Sequence, residues 1–122
     1  MLFCQNNDTA RCHIQYLDKT LNKQVHYFAD EGGYYQGGNR ALINYLDSIR
    51  IPHRDFKQHS VKFTFVVDTD GKLKAFTKAH GTFNAFEKAY IKKMKKCRWI
   101  PAQCAHQLIP LLVVWVHHWE FD

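Results

Sequence analysis

Long apolar runs are missing from this chain. The nearest candidate, Leu108 to Val116, is broken by Pro110, and a membrane-crossing helix needs about 20 consecutive apolar residues, so no segment spans a bilayer as a helix. Catalytic signatures are missing as well. There is no HExxH, no nucleophile elbow and no pair of carboxylates at a cleft-like position. Gly32-Gly33 and Gly37-Gly38 lack the GxGxxG pattern or the lysine-serine continuation of a phosphate loop, and they serve instead as a tight backbone path. Asp68-Thr69-Asp70-Gly71 lacks the later oxygen ligands and the position-twelve glutamate of a calcium loop, so a hairpin turn is the better account. These absences point to a chain that is not an enzyme and carries no cofactor or metal. Internal repeats and low-complexity tracts are absent too, and with 122 residues the chain has room for one domain with a genuine core.

Charge is unbalanced, with 17 Lys and Arg against 11 Asp and Glu giving a formal +6. Such a balance fits an anionic partner or a soluble basic surface. The densest run, Lys88, Lys92, Lys93, Lys95, Lys96 and Arg98, spreads at helical spacing over a solvated face. Aromatics interleaved with basic residues in an RNP-like or OB-like pattern are not found, so no nucleic-acid partner is expected. The four cysteines, Cys4, Cys12, Cys97 and Cys104, contain no CxxC, which argues against a zinc knuckle or a dithiol redox motif. A Cys97–Cys104 bridge would staple a helix end to the start of the last strand in an oxidising compartment, and Cys4–Cys12 is the alternative. His117 and His118 are strand neighbours and point to opposite faces, so they do not share a metal ion.

Residues 1–23 read as a polar, poorly defined lead-in, and 24–122 as one α+β domain. Val25, Tyr27 and Ala29 alternate as a short strand that Asp30-Glu31-Gly32-Gly33 ends. Ala41, Leu42, Tyr45, Leu46 and Ile49 form one apolar face of a helix over 39–50, which must stop before Pro52. Val61, Phe63, Phe65 and Val67 alternate in a strand, Asp70-Gly71 turns the chain, and Leu73, Ala75 and Thr77 return it. Thr82 or Asn84 caps a second helix striped by Phe83, Phe86, Tyr90, Met94 and Cys97. Leu108 to Phe121 is rich in β-branched and aromatic residues and forms the final strand, with Pro110 demanding a strand start or an edge. A sheet ending in such a strand leaves main-chain groups for another chain's peptide to complete.

In order, Tyr34-Tyr35-Gln36-Gly37-Gly38-Asn39-Arg40-Ala41-Leu42, Ile51-Pro52, Val61 to Val67, Asp70-Gly71-Lys72-Leu73, the helix at 83–97, Trp99-Ile100-Pro101-Ala102 and the terminal strand resemble the TonB carboxy-terminal domain over roughly residues 34–121. The resemblance implies an α+β fold, a small antiparallel sheet of about three strands packed against two helices. It implies structural roles for Gly37, Gly38, Asp70, Gly71, Trp99, Pro101 and Ala102. It also implies a periplasmic or exported location, given an upstream signal peptide or anchor, because Met1-Leu2-Phe3-Cys4 is too short and lacks a basic n-region to serve as one. The function implied is that of an energy-transducer-like interaction module, docking an extended peptide of an outer-membrane transporter or other envelope protein by strand addition. The peptide-binding edge is then Leu112, Val113, Val114, Trp115, Val116, His117, His118 and Trp119, and the receptor-facing step is Ile51, Pro52, His53 and Arg54. The alternative is a stand-alone exported protein that uses the fold for packing or self-association as a homodimer.

Overall fold

Pairing between distant segments, more than local periodicity, builds this molecule. The computed structural model describes residues 12–48 and 60–118. In chain order these hold β1 (Gln15–Asp18), β2 (Lys23–His26), β3 (Tyr34–Tyr35), α1 (Asn39–Ser48), β4 (Ser60–Val67), β5 (Leu73–Thr77), α2 (Ala85–Lys95), β6 (Trp99–Ile100), β7 (Ala102–Cys104), β8 (Gln107–Ile109) and β9 (Leu111–His118). Five strands form one mixed sheet in the order β1-β2-β9-β4-β5, and β3-β6 and β7-β8 form two small ribbons.

The expected sheet of about three strands against two helices is therefore not the architecture. The described residues are mostly sheet, with two short helices. The physical reason is that β1, β3, β6, β7 and β8 are two to four residues long. At that length alternation carries almost no signal, and such pieces extend only because a remote partner satisfies their backbone groups. Within the stretch expected as a lead-in, Gln15–Asp18 pairs with Lys23–His26 as an antiparallel hairpin.

The longer elements follow their patterns. β4 runs Ser60–Val67 and pairs antiparallel with β9 along its whole length, from Ser60 opposite His118 to Val67 opposite Leu111. Val61, Phe63, Phe65 and Val67 alternate onto one face with Trp115. There they pack against Leu42 and Leu46 of α1 and against Phe86, Tyr90, Ile91 and Met94 of α2. Phe63 and Phe65 anchor an aromatic cluster, with Phe65 meeting Phe76 at 5.2 Å and Trp99 edge-on at 5.3 Å. α2 starts at a capping box: the Asn84 side chain accepts from the Glu87 N–H at 2.8 Å, and Glu87 accepts from the Asn84 N–H at 3.0 Å. Its last turn carries Lys92, Lys93 and Lys95, the favourable sign for a helix carbonyl end.

Pro110 splits the expected final strand into β8 and β9. It lies just before β9 begins, where a missing N–H costs nothing in the ladder, and its carbonyl accepts from the His26 N–H at 2.9 Å. Cysteine pairing also differs from expectation. Cys104 bonds to Cys12, and Cys97 is free. Cys97 lies at the end of α2 beside the main core, whereas Cys104 lies on β7 in a second cluster with Cys12, Ala102, Ile109 and Leu111. The two cysteines near each other in sequence thus belong to different packing units. Cys4 lies outside the described residues.

Candidate functional site

The geometry of β9 is asymmetric. One edge is fully occupied by β4, while the other meets β2 at a single register position, His26 opposite Leu111, in parallel. Among the described residues no strand lies against that second edge along Leu112–Val116. Strand order places β9 third of five, so it is interior by topology and open over most of its length by register. Along the strand Val114 and Val116 face outward, 61% and 57% exposed, while Trp115 and His117 are buried on the core side. Leu112 and Val113 are half-buried and His118 is exposed. Trp119 lies outside the described residues, as does the whole step Ile51, Pro52, His53 and Arg54.

The other free edges are blunted. β1 is four residues long and ends in Asp18 followed by Lys19. β5 shifts register against β4 between Thr64 and Val66, has Ala75 at φ 55°, and carries Lys72, Lys74 and Lys78 in and beside it. Bulges, short length and lysines are the usual devices against stray pairing. From Leu111 to Val116, β9 contains none of them.

The core side of β9 is locked by a buried polar chain. The Trp115 indole N–H donates to the Tyr90 hydroxyl at 2.9 Å, and that hydroxyl lies 2.8 Å from His117 Nδ1. All three side chains are buried, so each bond is made in a low dielectric and fixes ring orientation. Period-two spacing alone places Trp115 and His117 on one face; the contact with Tyr90 depends on how α2 lies across the sheet.

A second polar centre, missed in the sequence, sits where β4 ends. Asp68 is 1% exposed, yet its carboxylate accepts from Lys74 Nζ at 2.8 Å, from Lys23 Nζ at 3.0 and 3.1 Å, and from the Thr69 N–H at 2.8 Å. Burial pushes its pKa up, but the two ammonium groups and the N–H outweigh that and hold it at about 2. Lys23 belongs to β2 and Lys74 to β5, so the carboxylate ties both flanks of the sheet to the β4–β5 turn. The only local hint is an aspartate directly after an apolar strand.

The remaining motif residues are brought together. Gly37 and Gly38, at φ 104° and 90°, carry the chain from β3 into α1. Asp70 accepts from the Lys72 N–H at 2.9 Å, and Gly71 at φ 79° packs so closely on β6 that a Cβ would stand 2.7 Å from the Trp99 carbonyl oxygen. Trp99 pairs with Tyr35 across β3-β6, the Pro101 ring stands where a Cβ on Gly71 would come within 3.7 Å of it, and Ala102 is fully buried on β7. Their shared role is to hold the β4–β5 turn, the α2 exit and the β3 region together.

Among the described residues no three His, Cys, Asp or Glu side chains group to hold a metal ion, and no helix is long and apolar enough to cross a membrane. Comparison with protein-family models, curated proteins and solved structures gives no match.

Proposed function

We propose that this chain is a non-enzymatic protein-interaction module that takes an extended segment of a partner along the second edge of β9. The observation that carries the reading is that, among the described residues, that edge is paired at Leu111 alone, in a strand without charge, bulge or internal proline up to Val116. Main-chain groups of Leu112–Val116 supply affinity with little demand on sequence, and Val114 and Val116 favour small apolar side chains at alternate positions of the visitor. In the terms of the resemblance, that visitor is an extended segment of an outer-membrane transporter or another envelope protein.

The Cys12–Cys104 bridge supports a periplasmic or otherwise exported setting, because disulfides persist where the environment is oxidising. The same edge also suits a second copy of the chain, since Leu111–Val116 carries no formal charge to repel itself.

Titration with short apolar-alternating peptides, read at the backbone amides of Leu112–Val116, tests the proposal. Docking gives saturable shifts confined to that stretch and its β4 neighbours. Flat amides at millimolar peptide, with the protein monomeric, would end it. Concentration-dependent dimerisation that broadens those same amides would make the second copy the visitor.

A further inference from the structure

A different surface of the molecule gathers positive charge. We propose that the cleft between the β4–β5 turn and the link from α2 to β6 binds a soluble phosphate-bearing ligand. The cleft has a volume of about 570 Å³, and Lys72, Lys96 and Arg98 line it together with Gln36 and Asp70. The three cations come from separate parts of the fold: Lys72 from the turn, Lys96 from the helix end, Arg98 from the residue before β6. Each is exposed, and among the described residues none has an ion-pair partner.

The one acid in the cleft is already engaged. Asp70 accepts from the Lys72 N–H and from Lys74 Nζ at 3.3 Å. Three free cations therefore outnumber one satisfied carboxylate, which suits an anion carrying more than one negative charge. Arg98 brings a planar fork that grips two oxygens, and the lysines bring point charges. A helix carbonyl end borders the cleft and would repel an anion. Here two of those carbonyls, on Lys93 and Met94, already accept from the N–H groups of Lys96 and Cys97.

Position is fixed by packing. The Gly71 approach to the Trp99 carbonyl and the Gln36 N–H donated to the Arg98 carbonyl at 2.9 Å hold the walls in place without a ligand. Two other clefts differ in charge. One of about 430 Å³ presents Asp30 and Glu31, and in another of about 500 Å³ Lys78 is paired with Glu87 at 2.8 Å, leaving Lys62 as its one exposed lysine.

The test uses inorganic pyrophosphate at low salt, followed at backbone amides. The expected result is saturable shifts at Gly71, Lys72 and Arg98, weakened at least tenfold in Lys72→Gln/Arg98→Gln and unchanged in Lys88→Gln/Lys92→Gln, whose side chains are exposed on α2 away from the cleft. Equal binding by the cleft variant, or equal weakening in the α2 variant, would overturn the proposal, because diffuse net charge would then be enough. Lys96→Gln alone, an exposed change, should weaken binding in the same direction and keeps the test decisive if the double variant fails to fold. Vesicles of phosphatidylglycerol form the second arm. Sedimentation with them that pyrophosphate displaces moves the phosphate to a lipid headgroup and overturns the soluble ligand; no sedimentation upholds it.

Discussion

Asp68 shows how one side chain can hold a sheet together and make its stability depend on pH. Its folded pKa of about 2 lies below the ordinary 3.8, so its contribution is fully present above the ordinary value and is lost as pH falls through 2. The shift corresponds to on the order of 2 kcal/mol, since a pKa unit is worth about 1.4 kcal/mol. Asp68→Asn keeps the shape and leaves Lys23 and Lys74 without their anion. It should lower unfolding free energy by roughly that amount at pH 7, with the gap to the parent closing between pH 4 and about 2. Urea titrations at several pH values read this, and a gap that stays constant down to pH 2 would deny the carboxylate its role.

The two buried tryptophans differ in how their indole N–H groups are satisfied. Trp115 has an acceptor in the Tyr90 hydroxyl, whereas Trp99 Nε1 is buried with no partner among the described residues. Trp99 and Trp115 are similarly buried, 2% and 5% exposed, so truncation to Phe removes comparable apolar contact from each. Trp115→Phe also breaks a buried bond, while Trp99→Phe relieves an orphan donor. An unsatisfied buried donor costs about 1–3 kcal/mol, so Trp99→Phe should be the milder change by about that margin. Equal losses in chemical denaturation would show that the indole N–H of Trp99 carries no penalty.

Elements were legible in proportion to their length. β4 and α2 announce themselves, one by alternation from Val61 to Val67 and the other by its Phe86-Tyr90-Met94 stripe behind an Asn84 cap, because periodicity over two or more turns outweighs any single residue. β3 and β6 could not be seen, since two residues have no period, and they extend only because Tyr34 and Tyr35 pair with Ile100 and Trp99. The open edge of β9 was half legible. Its composition is written in the chain, but the single contact with His26 belongs to the register of a hairpin that no local pattern announces. Val114→Lys with Val116→Lys alters two exposed side chains, so stability should move by no more than about 0.5 kcal/mol. Strand addition should nonetheless fall sharply, because lysine on an edge opposes pairing with another chain. Retention of peptide shifts in this variant would place the docking elsewhere.

At the scale of the whole molecule, the Cys12–Cys104 bridge spans 92 positions and ties the start of the described chain to the β7-β8 ribbon. Parity of cysteines suggested a bridge, but the partners are set by which segments share a core, and Cys12 meets Cys104 among Ala102, Ile109 and Leu111. A loop of this length removes much freedom from the unfolded chain, and native bridges typically contribute about 2–4 kcal/mol. Besides the bridge, the N-terminal hairpin is held by the His26 N–H donating to the Pro110 carbonyl at 2.9 Å, by the pairing of His26 with Leu111 and by the contact of Lys23 with Asp68. Reduction should therefore loosen β1-β2 before β4-β9. Amide exchange in the presence of reductant should quicken at Tyr16 and Val25 while Phe63 and Phe65 stay protected, and the melting temperature should fall. Uniform quickening across both regions would mean that the bridge stabilises a single cooperative unit, and an unchanged melting temperature would mean that the packing of Ile109 and Leu111 holds the hairpin without it.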